Sequence, residues 1–354
     1  MDDIRIRVLL ISPLPPPAGG IATWTQKYLD WSKSNNICVD VVNSSVIGGR
    51  AKQINTSINI LDEYKRTMII IRDLKNKIKS FRPNVVHLNT ACGKFGLIRD
   101  YFCASIVKKC EIPLVVHYRC NIEDQINNNL IQKFFLRKLS CLARVNLVLN
   151  TPSKTYLDIT FGIEGRLISN FIDNKFIYEN KIINTKIFNI VFIGHVQRTK
   201  GVREIFEVAS HFPEICFSLA GPISSEIKLL KIPKNVILKG QVNLIEVRKL
   251  LCNADVFLFP TYTEGFSNAL LEAMAAGLPI ITTDVGANGD MIESSGGILV
   301  QVKNSGDIIR AISKLENKDY REVMSKYNIE KIRKNYLIDI VMDELISIYE
   351  TAIR

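Results

Sequence analysis

Along the chain, short runs of β-branched and other apolar residues alternate with stretches whose apolar positions recur every three to four residues. The runs at residues 4–12 (IRIRVLLIS), 37–43 (ICVDVVN), 84–89 (NVVHLN), 112–118 (IPLVVHY) and 145–150 (VNLVLN) are apolar on both faces. That pattern predicts strands of a parallel, doubly wound sheet covered by helices on both sides. Around residues 172–187 the periodicity fades and the chain turns polar. A second series then begins at residues 187–194 (IFNIVFIG), 215–221 (ICFSLAG), 235–240 (NVILKG), 255–260 (DVFLFP) and 279–284 (PIITTD). From about residue 307 only helical patterns remain, and no internal repeat or low-complexity segment interrupts the series. The expected organisation is therefore a Rossmann-like domain over 1–172 and a linker over 173–187. A second Rossmann-like domain follows over 188–330, and a C-terminal helix over 331–354 is placed to pack back on the first domain.

With 354 residues, 47% of them hydrophobic, the chain exceeds one ordinary core, in agreement with two domains and a cleft between them. No apolar run approaches the roughly 20 residues that span a bilayer, and the opening Met1-Asp2-Asp3 is acidic where a secretory signal is basic. A cytoplasmic protein is expected. The eight cysteines form no CxxC pair, so neither a disulfide framework nor a zinc site is indicated. Charge is unevenly spread. Residues 1–175 hold 25 Lys and Arg against 14 Asp and Glu, and the remainder is balanced. Two stretches, 72–82 (RDLKNKIKSFR) and 132–144 (QKFFLRKLSCLAR), mix basic and apolar residues at helical spacing. The first reads as a solvated face on a packed helix. The second carries two phenylalanines among its basic residues and divides evenly between such a face and a contact with anionic lipid or an anionic acceptor.

Ligands of doubly wound sheets bind beyond the carboxyl ends of the strands, where loops feed helix N-termini. Three loops carry candidate chemistry. After the first strand, prolines lead to Gly19-Gly20 at a helix start, which permits close backbone approach to a phosphate or sugar and equally fits a simple turn. After residue Gly194, Arg198 and Lys200 precede Gly201 and a helix, a combination suited to a diphosphate or to a solvated loop. The third is "TEGFSNALLEAMAAGLP". Residues 268–276 read as a helix capped by Ser267 or Asn268 and stopped by Gly277 and Pro279. Glu272 stands at no capping-box position, and a carboxylate on so apolar a helix needs hydrogen-bond donors, such as ribose hydroxyls or a neighbouring cation.

Together these loops resemble the nucleotide-sugar-dependent glycosyltransferases of the GT-B fold, specifically retaining family 4, the glycosyl transferases group 1. The resemblance covers essentially the whole chain and is strongest over residues 190–292. Its most specific element is the E-x7-E spacing of Glu264 and Glu272. It implies that Glu264 contacts the donor sugar near its reacting carbon and that Glu272 holds the ribose, with Gly265, Phe266, Ser267 and Asn268 along sugar and diphosphate. Lys200 matches the family's phosphate-binding "KG" loop beyond Gly194, Gly19 and Gly20 match its glycine loop, and His117 matches a strand-end histidine facing the donor sugar. His195 stands where the family usually has arginine, so either Arg198 supplies that guanidinium or phosphate binding is weaker. Asp290 replaces the more usual glutamate.

The resemblance implies metal-independent transfer of a hexosyl or N-acetylhexosaminyl group, with retained configuration, from an NDP-sugar (a UDP-sugar by family frequency). The acceptor would be a glycan or lipid-linked molecule in bacterial surface polysaccharide synthesis, capsule or lipopolysaccharide, at the inner face of the membrane. The NDP-sugar is a co-substrate, and no cofactor is implied. Only four histidines and no DxD-like pair are present to hold a divalent ion. A sugar-nucleotide epimerase of the same two-lobed fold would need groups that remove and return a sugar proton, and no such set stands out. A nucleic-acid-binding role fits the basic half but gives Glu272 no partner and shows none of the module signatures.

Overall fold

The computed structural model describes residues 6–16, 19–45, 60–178 and 181–354. Met1 to Asp3, Pro17-Ala18 of the proline-glycine loop and Glu179-Asn180 of the expected linker lie outside the described residues. The chain divides into two units, one of residues 1–168 with 343–354 and one of residues 169–342.

The first unit runs β1 (Ile6–Ser12), α1 (Gly20–Ser32), β2 (Ile37–Asn43), α2 (Ile60–Phe81), β3 (Val85–Thr90), α3 (Lys94–Lys109) and β4 (Leu114–Tyr118). It continues with α4 (Ile122–Ile126), α5 (Leu130–Leu142), β5 (Val145–Val148), α6 (Thr151–Phe161) and β6 (Arg166–Leu167). All pairings are parallel and the strand order is β2-β1-β3-β4-β5-β6. Val8, Leu9, Leu10 and Ile11 are at most 1% exposed, as expected of a strand covered on both faces. Burying each such side chain contributes about 1.5–3 kcal/mol.

The second unit repeats the plan. It holds β7 (Asn189–Ile193), α7 (Val202–His211), β8 (Cys216–Ala220), α8 (Ser225–Lys228), β9 (Val236–Gly240), α9 (Leu244–Asn253), β10 (Val256–Phe259) and α10 (Asn268–Ala275). Then come β11 (Ile280–Thr283), α11 (Asn288–Met291), β12 (Gly297–Val300), α12 (Ser305–Leu315), α13 (Lys318–Asn335) and α14 (Ile338–Ile353). The sheet is again all parallel, in the order β12-β11-β10-β7-β8-β9. The strand order reverses between β1 and β3 in one sheet and between β7 and β10 in the other, and a doubly wound sheet opens its ligand crevice at such a point.

Every expected strand is present within about two residues of its limits, and the structure adds β6 and β12. β6 is only two residues long and fully exposed, so it carries no apolar signal. The expected linker is corrected. Residues 173–187 belong to the second unit. Phe176 and Ile187 enter its core, Lys181 Nζ donates to the carbonyls of Leu251, Cys252 and Ala254, and Asn184 Nδ2 donates to Asp255 Oδ1. Polarity there reflects hydrogen bonding to the domain. The last residues of α14, from Asp343, fall in the first unit, where Tyr349 accepts a hydrogen bond from the Tyr28 hydroxyl at 3.2 Å.

Candidate active site

The strand order of the second unit explains why the loop after β7 meets the loop after β10. Arg198–Lys200 form a single 3-10 turn closed by Gly201. At φ +72°, Gly201 occupies a conformation that favours glycine, and a Cβ there would come within 2.1 Å of the Pro260 carbonyl oxygen. The two loops are then stitched together. Tyr262 N–H donates to Thr199 O at 2.9 Å, and the Thr261 hydroxyl donates to the same carbonyl at 3.4 Å. Tyr262 OH donates to Glu204 Oε1 at 2.6 Å, and burial together with that carboxylate raises the phenol's pKa.

This framework sets the Lys200 ammonium 2.5 Å from Glu264 Oε1 and 3.3 Å from Thr263 O, with the Phe259 ring centroid 5.6 Å away. Both members of the pair are under one-fifth exposed. The sequence assigned them separately, the lysine to a diphosphate and the glutamate to a sugar. The structure makes them one charged unit whose members orient each other. Glu264 is also backed by a residue the sequence reading passed over. Gly286, at φ +56° in the loop after β11, lies so close that a Cβ would come within 1.8 Å of the Glu264 carbonyl oxygen. The next residue, Ala287, donates its N–H to Gly265 O at 3.2 Å. The "VGANG" stretch carries that signal as a glycine pair, but only the approach of the third loop gives it meaning.

The remaining candidates of this unit fall around that pair. Gly194 ends β7, while His195 and Arg198 are exposed, Arg198 giving its backbone N–H to Glu226 Oε1 at 3.0 Å. Ser267, expected beside the donor, is 4% exposed, and its hydroxyl oxygen accepts from Leu270 N–H at 3.2 Å. Its side chain is thus the cap of α10, the alternative the sequence also allowed. Asn268 is exposed and accepts from Asn170 Nδ2 at 3.0 Å, and Phe266 packs edge-on to Tyr336. Glu272 lies on α10 among the buried Leu270, Leu271, Ala273 and Met274, yet it is itself half-buried. Helical geometry turns it off the apolar stripe, so its carboxylate escapes the full cost of burial.

In the first unit, α1 and α3 begin at Gly19 and Gly93, neither of which supplies a side-chain cap. By contrast α5, α6, α9, α12 and α13 are capped by asparagines. Gly19 and Gly20 are exposed and line a cavity of about 430 Å³ together with Arg66, Asn89, Arg99 and Asp100. His117 lies elsewhere in that unit. It is the fourth residue of β4 and 1% exposed, so it is an interior residue and not an open strand end. Its ring packs 5.4 Å from His87 and 5.9 Å from Trp24, with Arg119 Nη1 3.2 Å from Nε2. Burial, then Arg119 and His87, hold the imidazole well below its ordinary pKa, so it is neutral at pH 7. Among the described residues no group of three or more His, Cys, Asp or Glu is placed to hold a metal ion.

Residues 173–331, which contain the whole Lys200–Glu264 site, match the family model of the glycosyl transferases group 1. That segment is a glycosyl transferases group 1 domain. The glycosyltransferase is similar to the capsular polysaccharide biosynthesis glycosyltransferase CapM of Staphylococcus aureus, 23% identical over 92% of this chain and 93% of CapM. Among solved structures it resembles the sucrose-phosphate synthase of Thermosynechococcus elongatus, at a TM-score of 0.79 and 16% identity over 98% of this chain and 99% of that one. It also resembles Anabaena HepE in complex with UDP and glucose, at a TM-score of 0.72 and 14% identity over 98% and 99% of the two chains. The fold of the glycosyltransferase is GT-B.

Proposed function

We propose that this glycosyltransferase belongs to retaining family 4. In this reading it moves a hexosyl or N-acetylhexosaminyl group from a UDP-sugar to a glycan or lipid-linked acceptor in the synthesis of a bacterial surface polysaccharide. The observation that carries the reading is the ion pair of Lys200 and Glu264 at the point where the strand order of the second sheet reverses. The role of CapM in capsular polysaccharide biosynthesis and the UDP and glucose held by HepE support it.

In this mechanism Glu264 holds Lys200 in place to meet the diphosphate, and Arg198, three residues after His195, supplies the second cation. Negative charge grows on the diphosphate as the bond to the sugar breaks, and fixed cations stabilise it most at that stage. Glu264 offers its remaining carboxylate oxygen to the sugar as the reacting carbon gains positive character, and Glu272 receives the ribose hydroxyls. No divalent ion is required.

A thermal-shift panel of UDP-, GDP-, ADP- and dTDP-sugars tests the donor, because a ligand that binds only the folded protein raises its melting temperature by mass action. The expected result is a shift with UDP-sugars and slow release of UDP. Absence of a shift with every nucleotide sugar overturns the reading, and interconversion of the sugars without transfer identifies an epimerase.

A further inference from the structure

Tyr262, in the loop after β10, is gripped from three sides within the second unit. Its N–H donates to Thr199 O at 2.9 Å in the loop after β7, and its hydroxyl donates to Glu204 Oε1 at 2.6 Å in the first turn of α7. The Lys303 ammonium, in the loop after β12, lies 5.2 Å from its ring centroid. The residues joined by these bonds flank the ion pair. Thr199 immediately precedes Lys200, and Glu204 follows that lysine by one helical turn. The two groups that hold the Lys200 ammonium, Thr263 O at 3.3 Å and Glu264 Oε1 at 2.5 Å, belong to the two residues after Tyr262. The pair is therefore braced on one side through the main chain at Thr199 and on the other through the side chain of Glu204.

Stability alone does not call for Glu204. The residue is 8% exposed, and while Oε1 takes the phenol, Oε2 is buried with no hydrogen-bond partner. The N-terminus of α7 offsets part of the cost, because a carboxylate in a first turn meets the positive end of the helix dipole. A buried polar pair is nevertheless often no more stable than apolar residues of the same shape, so leucine against phenylalanine would fill this place as well. What the polar pair adds is direction. A short hydrogen bond to a charged acceptor fixes the phenol at one point, and an apolar contact does not. Burial, then Glu204, raises the phenol's pKa, so the hydroxyl remains a donor at working pH.

We propose that Tyr262 and Glu204 are positioning residues, which latch the loop after β10 to α7 and so hold Lys200 and Glu264 in the geometry that meets the donor. The proposal rests on the glycosyltransferase reading and deepens it, by naming two residues that act on the reaction through the ion pair and not through a contact of their own with the donor.

The test compares the full chain with Glu204→Gln and with the double variant Tyr262→Phe/Glu204→Leu. Glu207→Ala, at an exposed position of the same helix, is the control. Three quantities are followed: the melting temperature, hydrogen exchange of residues 198–204 and 261–267 in the ligand-free protein by mass spectrometry, and kcat for release of UDP from UDP-glucose, UDP-galactose and UDP-N-acetylglucosamine. The double variant should melt within about 2 °C of the native protein, because an apolar pair replaces a buried polar one. Both segments should nevertheless exchange faster, and kcat should drop about tenfold or more, because small misplacements of reacting groups cost rate steeply. Glu204→Gln, whose amide oxygen still accepts from the phenol, should keep the protection and most of kcat. Unchanged exchange in the double variant overturns the proposal. So does unchanged kcat in a protein that releases UDP, a loss that appears only together with a fall in melting temperature, or an equal loss in Glu204→Gln. Faster exchange in the double variant of a protein that releases UDP from none of these donors upholds the latch and refutes the donor assignment.

Discussion

In the proposed reading Lys200, Glu264 and Glu272 divide the donor between them, and calorimetric titration of their variants with UDP separates the parts. Glu272→Ala should weaken UDP by roughly 1–3 kcal/mol, the usual worth of charged hydrogen bonds to hydroxyls. Glu264→Ala, which releases Lys200 but removes no direct contact to UDP, should weaken UDP less than Glu272→Ala does and lower turnover with the intact donor, since its sugar contact strengthens only as the sugar becomes cationic. Lys200→Ala should cost about 2–4 kcal/mol of transition-state stabilisation. Equal weakening of UDP by both glutamate variants would show the pair to be misassigned. A second expectation concerns His87, buried against His117, Trp24, Arg119 and Tyr349, whose hydroxyl lies 2.6 Å from Nδ1. Burial, then Arg119, brings its pKa down to about 3. The unfolded state therefore binds the proton first, so stability held above about pH 6.5 falls as pH drops toward 3. His87→Phe should flatten that acid limb in thermal unfolding between pH 6.5 and 4, and an unchanged slope would refute it. The burial of His117 was not legible in the sequence, where it read as a strand-end histidine.

Among elements, the helices of the first unit decide where a membrane would be met. The sequence pointed to residues 72–82 as a solvated face and to both phenylalanines of α5. The structure moves the apolar surface one turn and more toward the start of α2, where Leu61, Tyr64, Met68 and Ile69 are all at least 48% exposed. In α5 Phe134 is 56% exposed, whereas Phe135 is half-buried against Tyr101. Lys65, Arg72, Arg137 and Lys138 are exposed on the same two helices. Binding to anionic liposomes in flotation is expected, weakened by raised salt, and reduced by Leu61→Glu or Phe134→Glu. Binding that ignores both salt and these substitutions would exclude the two helices as the contact. Residues 72–82 are the solvated face that was expected, and the exposed apolar start of α2 was missed for a plain cause: periodicity shows that a helix has an apolar stripe, but only packing shows how much of the stripe a neighbour covers.

On the scale of the whole molecule, turnover should survive EDTA, since the proposed mechanism gives the balancing of the diphosphate to Arg198 and Lys200. Loss of activity on chelation, restored by Mg²⁺ or Mn²⁺, would refute this. The sequence by itself determined the parallel class of both sheets, because strands covered on two faces must be apolar throughout. It also determined the E-x7-E spacing and the cap at Ser267, because both are local to one loop and one helix. Tertiary structure alone decided that residues 173–187 are domain and not linker, since a polar segment tied by Lys181 and Asn184 has the composition of a free one. It alone joined Lys200 to Glu264 and set Gly286 behind them, since those residues are distant in the chain and meet only because β7 and β10 are neighbours. And it alone exposed the orphan oxygen of Glu204, because whether a buried polar atom is satisfied depends on every group around it, which no local pattern records.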